Sequence, residues 1–158
     1  MKPLYRGIAV AILHCTIVLS LAGKYAVDRE RLPRVWAKTA PIDPNLPVRG
    51  RYVRLRLQVD TASDMKGDWI PVRLSVVDNR LVANPTPPDG RVRITRIRDI
   101  WTIAESSAFF IPEHVPDPSR VAPGEELWAE VTVPDNGPVR PLRLGIKKDG
   151  VLTPLSLR

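Results

Sequence analysis

The chain has very few side chains that could form disulfides or hold metals: one cysteine, Cys15, and two histidines, His14 and His114. A disulfide within one chain needs two cysteines, and a structural zinc site needs four ligands, mostly cysteine and histidine. The composition therefore excludes an internal disulfide and a structural zinc site. We expect no metal and no cofactor.

Signatures of catalysis are also absent. The glycines form no phosphate-binding loop, and no Gly-x-Ser-x-Gly elbow occurs. Glu113 and His114 are adjacent, so on a strand they would point to opposite faces. A nucleophile for this pair could come only from serines such as Ser106, Ser107 or Ser119, and the spacing supports none of them. The sequence predicts no enzyme, with a hydrolase using Glu113 and His114 as one alternative.

Acidic residues are missing from the first 27 positions, which hold only three basic ones. The formal net charge is +7, but the rest of the chain has 21 basic groups against 17 acidic ones and is only mildly basic. Aromatic residues make up 6% of the sequence, and few lie beside the arginines. A nucleic-acid-binding surface needs a denser basic patch with stacking aromatics, so we expect no nucleic-acid partner.

The longest uncharged run begins at Gly7, after the basic residues Lys2 and Arg6. A helix over Gly7–Val27 would be roughly 31 Å long, about the thickness of the bilayer hydrocarbon. We predict an uncleaved transmembrane anchor with the rest of the chain on the outer side of the membrane. A signal peptide cleaved after Ser20–Ala22 and a buried globular helix are the alternatives.

Proline is abundant, with 17 residues, and it suits strand ends and turns better than helix interiors. Between the prolines, hydrophobic and polar residues alternate with a period of two, as in half-buried strands. Runs of this kind cover Gly50–Asp60, Trp69–Asp78, Arg80–Asn84, Arg91–Ala104 and Leu127–Val133. We predict a tight turn at Asp78-Asn79, a break near Arg98-Asp99 and a closing hairpin at Asp149-Gly150. The stretch "SAFFIPE" predicts a buried strand that ends at Pro112. The pattern predicts a mainly β fold, an antiparallel sandwich or partly open barrel of about eight short strands.

These features divide the chain into three segments. Residues 1–27 form the predicted anchor, residues 28–48 a stalk and proline-rich linker, and residues 49–158 the β domain. Gly7–Val27 would contact the lipid bilayer directly.

Three stretches together resemble a known family. The first is "GRYVRLRL", with Gly50, Tyr52 and Leu55; the second is "AFFIPEH", with Phe110, Pro112 and Glu113; the third is the closing "VTVPDNGPVRPLRLGIKKDG". In this order, behind one apolar span, they resemble the bacterial GDYXXLXY family of small membrane-anchored proteins.

The resemblance has two departures and several implications. Arg51 replaces the aspartate of the family signature and Leu57 its last tyrosine, so no role of that aspartate transfers to this chain. The resemblance implies a single-pass protein of the bacterial inner membrane with a periplasmic β domain. It also implies a polytopic membrane protein as the partner.

The arginines of the first β run leave two interpretations open. Arg54 and Arg56 would share one face of the strand, opposite Leu55, and keep a sheet face soluble. Alternatively, Arg54 and Arg56 would bind anions. Arg91 and Arg93, together with Arg96 and Arg98, would add to this site if the strand that carries them lies near the first run.

The combined prediction is a non-enzymatic, membrane-anchored accessory or interaction subunit of a polytopic membrane protein. A periplasmic binding module for anionic lipid or glycan is the alternative function.

Overall fold

The structure, a computed structural model, describes residues 3–41, 52–62, 65–87 and 91–156. It has one helix and two β-sheets, and the chain separates into two compact units, Met1–Leu32 and Pro33–Arg158. The prediction of a mainly β fold with an N-terminal apolar helix is confirmed, and the sheets form a sandwich-like arrangement without a closed barrel.

The helix α1 covers Pro3–Arg31 and is longer than the predicted anchor. Its last backbone hydrogen bond runs from Leu32 N to the carbonyl of Asp28, at 3.1 Å. Pro33 follows and has no N–H group, so it cannot extend the helix. Arg29 and Arg31 lie in the last turn, where positive charge interacts favourably with the helix dipole.

The second unit contains eleven strands within the described ranges, several of them only two to four residues long. Their bounds are β1 Arg34–Pro41, β2 Tyr52–Leu57, β3 Asp60–Thr61, β4 Ile70–Val77, β5 Arg80–Pro85, β6 Val92–Ile97, β7 Ile100–Ile103, β8 Ser107–Phe110, β9 Glu125–Thr132, β10 Arg140–Lys148 and β11 Val151–Pro154.

The first sheet has six strands in the order β11-β10-β9-β1-β2-β8, with every neighbouring pair antiparallel. Strand β1 lies in its interior, paired with β9 from Arg34 to Lys38 and with β2 from Thr39 to Pro41. Its side chains alternate, with Val35, Ala37 and Thr39 buried in the core.

This position of β1 corrects the predicted stalk over residues 28–48. The segment up to Arg31 is helical and Arg34–Pro41 is a central strand, so the β domain begins at Pro33 rather than at residue 49. Val35, Ala37 and Thr39 take alternate positions, so they form the buried face of this strand although no large hydrophobic residue lies on that face. Residues 42–48 of the predicted linker lie outside the described part of the chain.

The second sheet has five strands in the order β3-β5-β4-β6-β7. Its pairs are antiparallel except β3 with β5, which departs from the predicted all-antiparallel arrangement. The sheets are linked where β2 leads to β3: Gln58 pairs with Thr102, and Val59 N donates to the carbonyl of Trp101 at 3.0 Å.

Three hairpins turn through two residues with positive φ, as type I′ turns require. These turn residues are Asp78 and Asn79 (φ 48° and 58°), Arg98 and Asp99 (49° and 66°), and Asp149 and Gly150 (50° and 83°). The turns predicted at Asp78-Asn79 and Asp149-Gly150 and the break at Arg98-Asp99 are therefore confirmed.

The core lies between the sheets. The alternating face predicted for the first β run is confirmed, since Val53, Leu55, Leu57 and Val59 are all buried. The strand predicted at Phe109 and Phe110 is present as β8, but the predicted burial is wrong for Phe110. Strand β8 is an edge strand, and Phe110 is 72% exposed because its side chain lies on the face opposite to the core.

The central position of β1 leads to a test of the domain boundary. A chain that begins at Pro33 should fold, with a strand-dominated circular dichroism spectrum and cooperative unfolding in urea. A chain that begins at Arg49 lacks β1, so β9 and β2 lose a shared partner and the core loses Val35 and Ala37. That shorter chain should not fold, and cooperative unfolding of it would contradict the assignment.

Candidate functional site

Strand register brings two tryptophans together on the face of the first sheet opposite to the core. Lys38 of β1 lies opposite Trp128 of β9, and Trp36 lies opposite Glu130. Directly paired residues in antiparallel strands point to the same face. The pairs of β9 with β10 extend this surface, which we call the tryptophan face: Trp36, Lys38, Glu126, Trp128, Glu130, Arg143 and Lys147.

Trp128 is held by an ionic network. Its indole Nε1 donates to Glu126 Oε2 at 3.0 Å, and Glu126 Oε1 accepts a hydrogen bond from the Lys38 ammonium. These two donors, Lys38 first and Trp128 second, lower the pKa of Glu126. The ammonium of Lys147 lies 4.5 Å from the centre of the Trp128 ring, within the range of a cation–π contact.

Trp36 is held by a second network. Arg143 donates to Glu130 from both Nε, at 2.5 Å, and Nη2, at 3.3 Å, and this pairing raises the pKa of Arg143. The side chain of Glu130 is only 10% exposed, so the bidentate pair offsets the cost of burying its charge. The Arg143 guanidinium also lies 5.5 Å from the centre of the Trp36 ring.

The indole of Trp36 packs directly on the backbone at Gly145. A Cβ atom at this position would lie 3.0 Å and 3.1 Å from two carbons of the Trp36 ring and 3.1 Å from the carbonyl oxygen of Thr153. Glycine therefore leaves the space that the ring occupies, and any side chain here would push Trp36 away from the sheet.

A groove of about 520 Å³ lies beside the tryptophan face, where the β4–β5 hairpin passes the first sheet. Both tryptophans contribute to its wall, together with polar side chains from the hairpin turn and from the link between β2 and β3. The lining residues are Trp36, Ala37, Lys38, Gln58, Asp60, Asp78, Asn79, Arg80, Leu81, Trp128, Lys147, Gly150 and Leu152.

Two of the family-motif residues meet at the edge of the first sheet. Tyr52 of β2 is paired with Phe110 of β8, and their rings are 6.1 Å apart with an interplanar angle of 56°. Leu55 is a core residue, 1% exposed, while Pro112 and Glu113 follow β8 in a turn. The remaining motif residue, Gly50, lies outside the described residues, as does Arg51.

A shallow depression of about 290 Å³ adjoins this aromatic pair. It is lined by Tyr52, Arg54, Ser106, Ala108 and Phe110. A largely exposed ring beside a cation is an arrangement suited to contact with another surface.

The structure does not bring the predicted anion-binding arginines together. Arg54 and Arg56 are half-buried on β2 of the first sheet, whereas Arg91 and Arg93 are exposed at the start of β6 in the second. Outward-facing side chains on the two sheets of a sandwich point away from each other. Within the described ranges, the Nε atom of Arg56 is shielded from solvent without a hydrogen-bond partner.

Arg96 and Arg98 lie at the far end of β6 and have local roles. Arg96 is 3.1 Å from the carboxylate of Asp99 and 5.8 Å from the centre of the Trp101 ring. Arg98 occupies the hairpin turn.

The alternative hydrolase residues also lie apart from a defined site. Glu113 and His114 are both exposed in the turn after β8. Ser119 donates its hydroxyl to the carboxylate of Asp117, two residues earlier, at 2.7 Å, and its backbone N–H donates to the same oxygen at 2.9 Å. This is a local turn motif, so the structure gives Ser119 a partner other than His114.

Sequence reasoning missed both residues that define the groove, Trp36 and Trp128. They are 92 positions apart, and only the register of β1 on β9 makes them neighbours. One signal was present: "RVWAKT" alternates Val35, Ala37 and Thr39 with larger polar or aromatic residues, which is the pattern of a strand.

No protein-family model, no curated protein and no solved structure matches the chain significantly. The resemblance to the GDYXXLXY family therefore stays a prediction from its motifs.

The network around Glu126 leads to a prediction about pH. The pKa of Glu126 in the folded chain lies below the ordinary value of 4.5. The ionised carboxylate therefore contributes its full stabilisation above pH 4.5, and this stabilisation is lost as the pH falls through the pKa of the folded chain. The side chain is 39% exposed, so we expect a contribution of at most about 1 kcal/mol. Urea unfolding should show that Glu126→Gln loses less stability than the parent chain between neutral and strongly acidic pH.

Glu105→Gln is the matched control, because Glu105 is exposed and lies outside this network. Its pH profile should follow that of the parent chain. Identical acid profiles for the parent and the Glu126→Gln variant would rule out the stabilising role of the pair.

Proposed function

We propose that the protein is a single-pass membrane protein whose β-sandwich acts, without catalysis, as an accessory or interaction module. The observation that carries this proposal is the surface of α1. Its residues from Tyr5 to Val27 are exposed, although most of them are apolar. An apolar helix surface of this size needs a bilayer or a protein partner to cover it.

The helix has suitable dimensions and internal bonding for a bilayer. The segment Tyr5–Arg31 has 27 residues and is long and apolar enough to cross a membrane. Three polar side chains in it bond to backbone carbonyls of preceding residues: His14 Nδ1, Thr16 Oγ1 and Ser20 Oγ donate to Val10, Ile12 and Ile17, each at 2.8 Å. Polar groups satisfied in this way lower the cost of placing them in hydrocarbon.

The proposed location is the bacterial inner membrane with the β-sandwich in the periplasm. Lys2 and Arg6 precede the span, and a long domain that follows a span is translocated largely regardless of its charges. The motifs that resemble the GDYXXLXY family support the same arrangement, and they suggest a polytopic membrane protein as the partner.

Two surfaces suit an interaction role. One is the apolar surface of α1, which can pack against other transmembrane helices. The other is the β2–β8 edge, where Phe110 is exposed beside Tyr52. Exposed aromatic residues are enriched in protein interfaces, where they contribute much of the binding energy.

Binding of an anionic lipid or glycan is a second candidate function, favoured by the depression at the same edge. Arg54 lies there beside the aromatic rings of Tyr52 and Phe110. An arginine can pair with a phosphate or carboxylate through two parallel hydrogen bonds while the rings contact the apolar part of the ligand.

The anchor hypothesis predicts that α1 is retained in the mature protein. Protein extracted from bacterial membranes should have the mass of the full chain, and N-terminal sequencing should begin at or near Met1. It should also resist extraction with alkaline carbonate, because a spanning helix is inserted rather than adsorbed. A mature chain that begins at Gly23 would show instead that the segment is a cleaved signal.

The interaction role predicts a specific neighbour at the β2–β8 edge. A photoreactive phenylalanine analogue at Phe110 should crosslink in intact cells to one membrane protein of defined mass. The control position is Val151, which is 67% exposed at the β10–β11 turn and lies on the opposite edge strand. Adducts with lipid alone at Phe110 would favour the lipid-binding function, and the same protein adduct at both positions would show that the contact is not specific.

A further inference from the structure

The groove beside the tryptophan face offers an unusual mixture of functional groups. Trp36 and Trp128 provide aromatic surface, and the rest of the wall is dominated by polar side chains. Asp60 and Asp78 supply carboxylate acceptors, while Gln58 and Asn79 supply amides that both donate and accept hydrogen bonds. A purely apolar ligand would leave these polar groups desolvated and unpaired, which is costly.

The charges of the groove argue against a highly charged ligand. Its three cationic side chains are each engaged already: Lys38 pairs with Glu126, Arg80 lies 3.5 Å from the carboxylate of Asp60, and Lys147 lies over the Trp128 ring. The second acidic residue of the wall, Asp78, would further repel an anion. The groove therefore suits a neutral ligand that is rich in hydrogen-bonding groups.

The two indoles are held in fixed positions. Trp36 lies against the backbone at Gly145 and under the Arg143 guanidinium, and Trp128 is bonded to Glu126. Side chains that are fixed before binding lose little entropy when a ligand arrives. The volume of about 520 Å³ falls within the range of about 300–1,000 Å³ that is typical of small-ligand sites.

We propose that this groove binds a neutral oligosaccharide. A sugar ring has C–H groups on its faces and hydroxyls around its rim, which match an indole surface bordered by carboxylates and amides. The parts of the Trp128 and Trp36 rings that line the groove would contact the C–H groups of the sugar, and Asp78 and Asn79 of the β4–β5 turn would bond its hydroxyls. This site goes beyond the proposed accessory role and is separate from the β2–β8 edge.

The test uses the full chain in a detergent that carries no sugar headgroup. The chain is applied to an array of immobilised oligosaccharides that covers neutral hexoses, N-acetylhexosamines and uronic acids, and affinity for retained species is measured by tryptophan fluorescence. We expect binding to at least one neutral oligosaccharide. Trp128→Ala and Asp78→Asn should each weaken it by at least about tenfold, corresponding to about 1.4 kcal/mol.

Two comparisons separate loss of the site from loss of the fold. Asn readily adopts the positive φ of position 78, so Asp78→Asn preserves the turn while it removes the charge. Trp69→Ala is the matched control, since Trp69 is 59% exposed and is not part of the groove lining. It should bind as the parent does, and every variant should unfold in urea with the cooperativity of the parent.

Several outcomes would overturn the proposal. These are retention of no saccharide on the array, retention of uronic acids alone, and affinity unchanged by both groove variants. Vesicles of phosphatidylglycerol and phosphatidylcholine form the last arm. Three results together would assign the ligand site to the β2–β8 edge rather than the groove. The vesicles would bind the chain, Arg54→Gln would abolish that binding, and the vesicles would displace the saccharide.

Discussion

The β domain depends on the pairing of β1 with strands on both of its sides. Hydrogen bonds from this strand join β9, which comes almost ninety residues later in the chain, to β2. Because one side of β1 faces the core and the other carries Trp36 and Lys38, a shift of one residue would exchange the two sets completely. The hydrophobic core and the tryptophan face are therefore fixed by the same register.

This shared dependence explains how a site can form without any local sequence motif. The two tryptophans come from strands β1 and β9, and the polar wall comes from the turn of the β4–β5 hairpin and from the link between β2 and β3. The supporting residues are equally dispersed: Gly145 lies on β10, and Glu126 and Glu130 on β9. Each contributes through its strand position, so the surface exists only in the folded chain.

The sequence was informative where a pattern is repeated within one segment and silent where distant segments meet. Alternation identified the buried face of β2, and the Asp-Asn and Asp-Gly pairs marked the turns at Asp78-Asn79 and Asp149-Gly150. The interior position of β1 was missed because its buried residues are small and because it lies between an apolar helix and a proline-rich stretch. The exposure of Phe110 could not be foreseen either, since an edge strand and a central strand can share one composition.

The immediate succession of α1 and β1 has a mechanical consequence. Only Leu32 and Pro33 separate the last helical residue from the first residue of the central strand. A pull transmitted along the chain at this point would reach β1 first, and β1 is hydrogen-bonded to strands on both of its sides. Traction on the N-terminal segment would therefore act first on an interior strand of the domain rather than on an edge strand, and the lifetime of the fold under load would be set by the unfolding rate.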